Sequence, residues 1–282
     1  MMDVYAHQPI IPGEACPMCF DHDSRPPIRS IAGGALDSRD VTLTASDGNR
    51  LSAFEARAAS PSGNGILILP DIRGLHEYYV ELAMRFAERG VDAVAIDWFG
   101  RTAGLGRRAE DFDYVSHVNE AKWPAIAADI AAGAAHARSI CSAGDTGGTE
   151  TSLFTIGFCF GGRNAFLSAT LGLGLAGAIG FYGSPVGTGR GGSPAPADLA
   201  AEIASPILGL FGGADGSIPP EAIATFDQAL TRAGVEHELR TYPGAPHSFF
   251  DRKADQFADE SADAWERVLA FIAGHGSPAA TR

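Results

Sequence analysis

Short strand-like runs that alternate with longer helical patterns are the feature that most limits what this chain can fold into. The runs fall at residues 66–69, 93–96, 153–156, 178–181, 207–210 and 237–240. Helical periodicity fills roughly 76–89, 122–140, 161–172, 219–233 and 256–273 between and after them. Most of the runs are apolar on both faces, as strands are when helices cover both sides of a parallel sheet. The expected fold class is therefore α/β, with a mostly parallel central sheet flanked by helices. Ahead of it, 41–44 and 51–54 flank Asp47-Gly48 and predict an N-terminal β-hairpin. Residues 1–38 are rich in Pro, Gly and polar residues and are expected to form an extended N-terminal arm on a single domain spanning 39–282.

Of the 282 residues, 45% are apolar and 20% charged, enough to bury a large core. The formal charge is −13 and no basic cluster is present, which excludes nucleic acid as an expected partner. No stretch has the length and apolarity of a membrane span, so a cytoplasmic protein with no membrane partner is expected. Four cysteines in a chain this long do not make a disulfide framework.

The run at 153–156 leads into Gly157-Phe158-Cys159-Phe160-Gly161-Gly162, and a helical pattern follows. A nucleophile carried between a strand and a helix needs a tight turn, and small residues two positions before and after it relieve the crowding. Cys159 holds that position. The helix start offers free N–H groups and the positive end of a dipole, both of which favour a thiolate and a developing oxyanion. A buried cysteine in a Gly-rich turn would look the same in isolation. The partners decide between them: Asp215 follows the run at 207–210, and His247 follows the run at 237–240. Nucleophile, acid and base occur in the chain order of α/β-hydrolases, with all three at one edge of the sheet, and predict a Cys159-His247-Asp215 triad.

With these segments, and with Leu69-Pro70-Asp71-Ile72-Arg73-Gly74-Leu75, the sequence resembles the dienelactone hydrolase family over roughly residues 40–273. The resemblance implies an α/β-hydrolase that opens a lactone or activated ester through a cysteine acyl-enzyme. It implies an oxyanion hole built from the backbone N–H groups of Phe160 and Ile72. In the best-known members a Glu holds the resting thiol and takes its proton; here the matching position is Asp71, one methylene shorter. The family's usual substrate carries a carboxylate, so a small anionic lactone or ester is the expected partner. Arg101 and Arg252 are the preferred cations for it, with Arg73, His76 and Trp98 as further substrate-binding candidates and Arg107 and Arg108 as other available arginines. Neither preferred arginine aligns securely with the family's own.

Other signals carry less. Cys16-Pro17-Met18-Cys19 with His22 is half of a zinc-site spacing and lacks a second pair, so no metal is expected. Residues 172–177 match a dinucleotide fingerprint by letter but follow a helix and precede a strand, the reverse of what that fingerprint needs. No cofactor is expected. Cys141 falls in a segment read as a polar loop. A broader carboxylesterase or thioesterase of the same fold, and a redox-sensing or binding protein using Cys159, are the alternatives; a monomer or homodimer fits either.

Overall fold

The computed structural model describes residues 24–142 and 151–276. Its centre is an eight-stranded sheet made of β1 (Ala35–Thr44), β2 (Arg50–Ala58), β3 (Asn64–Leu69), β4 (Val91–Ile96), β5 (Ser152–Phe158), β6 (Gly177–Phe181), β7 (Ile207–Gly212) and β8 (His237–Tyr242). The strand order is β1-β2-β4-β3-β5-β6-β7-β8. The β1-β2 hairpin and the β2-β4 contact are antiparallel, and every other pairing is parallel. This is the architecture that the apolar runs predict. β3, β4 and β7 are buried along their whole length, as interior strands covered on both faces must be. β8 lies at the edge and alternates between half-buried and exposed residues.

The helices are α1 (Glu77–Ala87), α2 (Gly100–Ala103), α3 (Tyr114–Glu120), α4 (Trp123–Ser142), α5 (Phe160–Ser168), α6 (Pro220–Ala233) and α7 (Ala258–His275). They divide the core into two. One cluster joins α1, α6 and α7 to the sheet through Tyr78, Phe86, Phe158, Phe166, Phe181, Phe226 and Trp265. The other joins α4 to Leu67, Leu69, Val94 and Ile96, with Trp98, Phe99 and Phe160 at its upper end. Each fully buried side chain of this size stabilises the fold by about 1.5–3 kcal/mol.

Four details differ from the sequence expectations. β1 begins at Ala35, inside the stretch assigned to the arm, because the hairpin pairs as far as Ala35 with Ala58. The described residues before it pack on the domain: Ile28 is buried in the core, Arg25 pairs with Glu81 at 2.6 Å, and the Ile31 N–H donates to Glu88 at 2.8 Å. α5 ends at Ser168, short of the expected 172, and α2 and α3 lack any periodicity long enough to reveal them. Cys141 lies in the last turn of α4, buried against Gly65, and burial pushes its thiol up to about 12. Cys16, Cys19 and His22 lie outside the described residues. Among the described residues, no helix is long and apolar enough to cross a membrane.

Phe166 is fully buried between Phe211 and Phe226, with ring centroids 6.3 and 5.1 Å away. Phe166→Ala should cost about 3–5 kcal/mol. The melting temperature should fall by roughly 6–20 °C, which thermal unfolding followed by circular dichroism will read.

Candidate active site

Parallel strands place their carboxyl ends on one edge, and the loops leaving β3, β5, β7 and β8 carry Asp71, Cys159, Asp215 and His247 there. Cys159 sits between β5 and α5 at φ 55°, ψ −111°. A residue with a Cβ rarely adopts this conformation. Its neighbours make it possible: a Cβ on Gly157 would strike the Gly161 carbonyl, and one on Gly161 would strike the Leu69 and Pro70 carbonyls. The missing side chains let the start of α5 settle onto the end of β3. Cys159 itself is half-buried, and its N–H is pinned to the Phe181 carbonyl at 3.0 Å.

His247 Nδ1 is 2.6 Å from Asp215 Oδ2, and both side chains are almost wholly buried. The other Asp215 oxygen accepts the Ser217 N–H at 2.9 Å and the Ser217 hydroxyl at 2.6 Å. Burial alone would raise the Asp215 pKa, but the bond to His247 and those from Ser217 outweigh it and hold the carboxyl below its ordinary value. Burial alone would lower the His247 pKa; the Cys159 charge, the Asp215 bond and contact with the Cys159 thiol hold it well above the usual histidine value. His247 Nε2 thus faces the thiol side, although it makes no bond of full hydrogen-bond geometry in the resting site. An imidazole tied at Nδ1 to a carboxylate and open at Nε2 can take a proton from a neighbouring thiol and return it.

The loop after β3 packs against this turn. The Asp71 N–H is held by the Tyr79 hydroxyl at 2.9 Å, the Arg73 N–H by Asp71 Oδ1 at 2.7 Å, the Gly74 N–H by the Asp71 carbonyl at 3.2 Å and the Leu75 N–H by Asp97 at 3.0 Å. Among the described residues no such bond holds the Ile72 N–H. Phe160 is the first residue of α5, so its N–H has no acceptor within the helix. Both candidate oxyanion donors therefore remain available. Asp71 is 2% exposed and closes a local turn through Oδ1. His76 lies 4.0 Å from that oxygen, and burial, helped by the Arg73 charge, pushes it down to about 3, so it is neutral.

Residues 51–276 match the protein-family model described as the dienelactone hydrolase family. The chain belongs to that family. A relative from Salmonella typhimurium, provisionally named a carboxymethylenebutenolidase, is 33% identical over 86% of this chain and 89% of its own. A crystal structure from Klebsiella pneumoniae, provisionally named a dienelactone hydrolase, is 31% identical, covers 84% of this chain and 99% of that one, and superposes with a TM-score of 0.68. An acylaminoacyl peptidase of Pyrococcus horikoshii shares the fold alone, at 14% identity and a TM-score of 0.69 over 86% of this chain and 42% of its own. As a member of the dienelactone hydrolase family, this protein is an ester hydrolase on an α/β-hydrolase fold.

Within this dienelactone hydrolase-family site the other candidates fall in different places. Arg101 is spent on the hairpin, bonded to Asp47 at 2.7 Å and Asp129 at 2.8 Å. Arg107 pairs with Asp40 and Glu77, and the buried Arg108 forks onto Asp97 at 3.1 and 2.6 Å. Trp98, expected to touch substrate, is 2% exposed; its indole N–H donates to the Pro70 and Asp71 carbonyls at 3.1 Å each, and its ring meets Phe160 edge-on at 5.5 Å. It braces the two segments that carry the candidate oxyanion donors. Arg73 and Arg252 are both half-buried, two residues after Asp71 and five after His247 in the chain. Sequence reasoning missed Tyr182, whose ring lies 4.8 Å from that of His247, and the buried Asp251, which accepts the Tyr182 hydroxyl at 2.7 Å. Their positions, just past β6 and four residues beyond His247, were the only signal available.

Trp98→Phe keeps the ring but removes the donor to both loop carbonyls. It should lower kcat about tenfold with KM within about twofold, since a misplacement of about 1 Å can cost up to 10²-fold. Steady-state kinetics on an activated ester will check this.

Proposed function

We propose that this protein hydrolyses a lactone or an activated ester through an acyl-enzyme on Cys159. The observation that carries the reading is the buried His247-Asp215 bond at 2.6 Å, which leaves Nε2 facing a half-buried thiol in a strained strand-to-helix turn. His247 Nε2 takes the thiol proton and the sulfur attacks the carbonyl carbon. The oxygen becomes an oxyanion held by the Phe160 and Ile72 N–H groups, where losing one donor typically costs about 10²–10³ in rate. The C–O bond then breaks and His247 gives its proton to the leaving oxygen. Water attacks the thioester, His247 takes a proton from it, and that proton returns to sulfur as the carboxylic acid leaves. Asp215 fixes the ring tautomer and stabilises the imidazolium. A free thiol is only a few per cent ionised near pH 7, and His247 is the group whose geometry supports activating it. Asp71, given the thiol-activating role by family resemblance, also shapes the oxyanion loop by accepting the Arg73 N–H at Oδ1.

Relatives named as carboxymethylenebutenolidases favour a lactone as substrate, with Arg73 and Arg252, on the loops that carry Asp71 and His247, as the candidate cations if it is anionic. The commitment of Arg101, Arg107 and Arg108 to carboxylates of the protein itself favours a second reading, a broader esterase acting on neutral esters or thioesters. A substrate panel separates the two by whether an anionic lactone or a neutral aryl ester has the higher kcat/KM.

Cys159→Ala should reduce turnover of an activated ester to below roughly 1% of wild type, because acyl transfer loses its nucleophile. Mass spectrometry of the acid-quenched wild type should find the substrate's acyl mass on the peptide bearing Cys159. A peptide modified only after peroxide treatment would instead mark Cys159 as a redox sensor.

A further inference from the structure

A second buried carboxyl group stands beside the triad. Asp251 is 5% exposed, in the turn that follows His247. Ser248, at φ 60°, bends the chain so that the Asp251 N–H reaches the Ser248 carbonyl at 3.3 Å, and Phe250 packs onto Phe158 and Phe181 beneath. One Asp251 oxygen accepts the Tyr182 hydroxyl at 2.7 Å and the other accepts the Arg252 N–H. Tyr182 is fully buried at φ 38°, a conformation that bulky residues avoid, and its ring lies against His247. Strain of this kind persists only where surrounding contacts enforce it, and it gathers at functional sites.

Taking His247 as the base of the proposed function, we propose that Asp251 is a positioning residue for it, acting through the Tyr182 hydroxyl. The groups that face Asp251 come from every neighbouring element: Asp71 on the β3-α1 loop, Tyr78 and Tyr79 on α1, Tyr182 after β6, and His247 and Arg252 on its own loop. Burial pushes Asp251 up to about 8; the Tyr182 and Arg252 bonds and the His247 charge oppose the rise, and the Asp71 charge adds to it. Below that pH the acid is neutral and Tyr182 is held under the imidazole. Above it, a third buried negative charge joins Asp71 and Asp215 where acyl transfer develops an oxyanion, and like charges in a low-dielectric site repel strongly. Activity should therefore fall as pH rises through about 8.

The test is a pH profile of kcat and KM on p-nitrophenyl acetate, corrected for spontaneous hydrolysis, for the full-length wild type, Asp251→Asn and Tyr182→Phe. Asp251→Asn keeps the shape and an acceptor but cannot ionise. It should keep activity within about threefold of wild type at pH 7 and lose the decline near pH 8, moving the alkaline limb by at least one unit. Tyr182→Phe should lower kcat about tenfold with KM nearly unchanged, and the double variant should be no slower than Tyr182→Phe alone. A second readout needs no catalysis. A carboxyl whose pKa is higher folded than unfolded loses stability as pH rises from about 4 to about 8, so the melting temperature of Asp251→Asn relative to wild type should climb across that window. An Asp251→Asn variant with the wild-type alkaline limb and a melting difference independent of pH overturns the proposal. If the wild type formed no acyl adduct on Cys159, the proposed function would fail instead, and the two failures are distinct.

Discussion

The site depends on a close approach of backbone to backbone, the start of α5 resting on the end of β3 with no side chain between them. Gly161 permits it, since a Cβ there would collide with the Leu69 and Pro70 carbonyls, and Gly157 lets the first turn of α5 fold back over β5, since a Cβ there would strike the Gly161 carbonyl. The approach forces Cys159 into a left-handed conformation, and among the described residues the other non-glycine positions with positive φ are Tyr182 and Ser248. All three lie at the proposed site, Cys159 as its nucleophile and the other two beside His247. Strained backbone of this kind costs of order 1–3 kcal/mol per residue, and the sheet offsets it. The Cys159 N–H is bonded to β6 through Phe181, and the Tyr182 N–H to β7 through Leu210 at 2.8 Å. The strand order that defines the fold is thus what holds the reactive turn in its unfavourable geometry.

A second layer fixes the oxyanion loop, and charge supplies most of it. The buried Asp97 takes both ends of the Arg108 fork and also accepts the Leu75 and Phe99 N–H groups, so one carboxylate ties the β3 loop, the β4 loop and the segment before α3 together. Arg163, four residues after Cys159 and buried, does the same for the loop beyond β6. It donates to the carbonyls of Ser184, Val186, Gly187, Ser193 and Pro194, and desolvation holds it down to about 10. A planar guanidinium with five donors suits this task better than an ammonium would.

The parts legible in sequence were those that periodicity and local backbone chemistry dictate. Doubly apolar runs gave the interior strands, and Gly157-Phe158-Cys159-Phe160-Gly161, with Asp215 and His247 in order, gave a grouping that the fold gathers at one edge. α2 and α3 were missed because four and seven residues carry too little period to stand out from a loop. The arginines were misjudged for a related reason. Arg101 and Arg108 look like free cations in sequence, but their partners Asp129 and Asp97 lie 28 and 11 residues away and meet them only through the tertiary fold. Trp98 was expected to bind substrate; only the structure reveals that its N–H is needed by two loop carbonyls.

Three carboxyl groups are buried around one nucleophile, and each meets the cost of burial in a different way. Asp215 stays ionised because a histidine and two donors of Ser217 surround it, and its charge is the one that the proposed acyl transfer uses. Asp71 meets that cost in part locally, its Oδ1 closing a turn on the Arg73 N–H that shapes a loop. Asp251 lies among tyrosines, where burial favours the neutral acid and a tyrosine hydroxyl is its side-chain donor. Two anions and one neutral acid form an arrangement that a cysteine enzyme can tolerate, because the thiolate and the oxyanion of the reaction are themselves negative. A third permanent charge at that depth would oppose both, and a buried acid that remains protonated gives the base a polar support without that penalty.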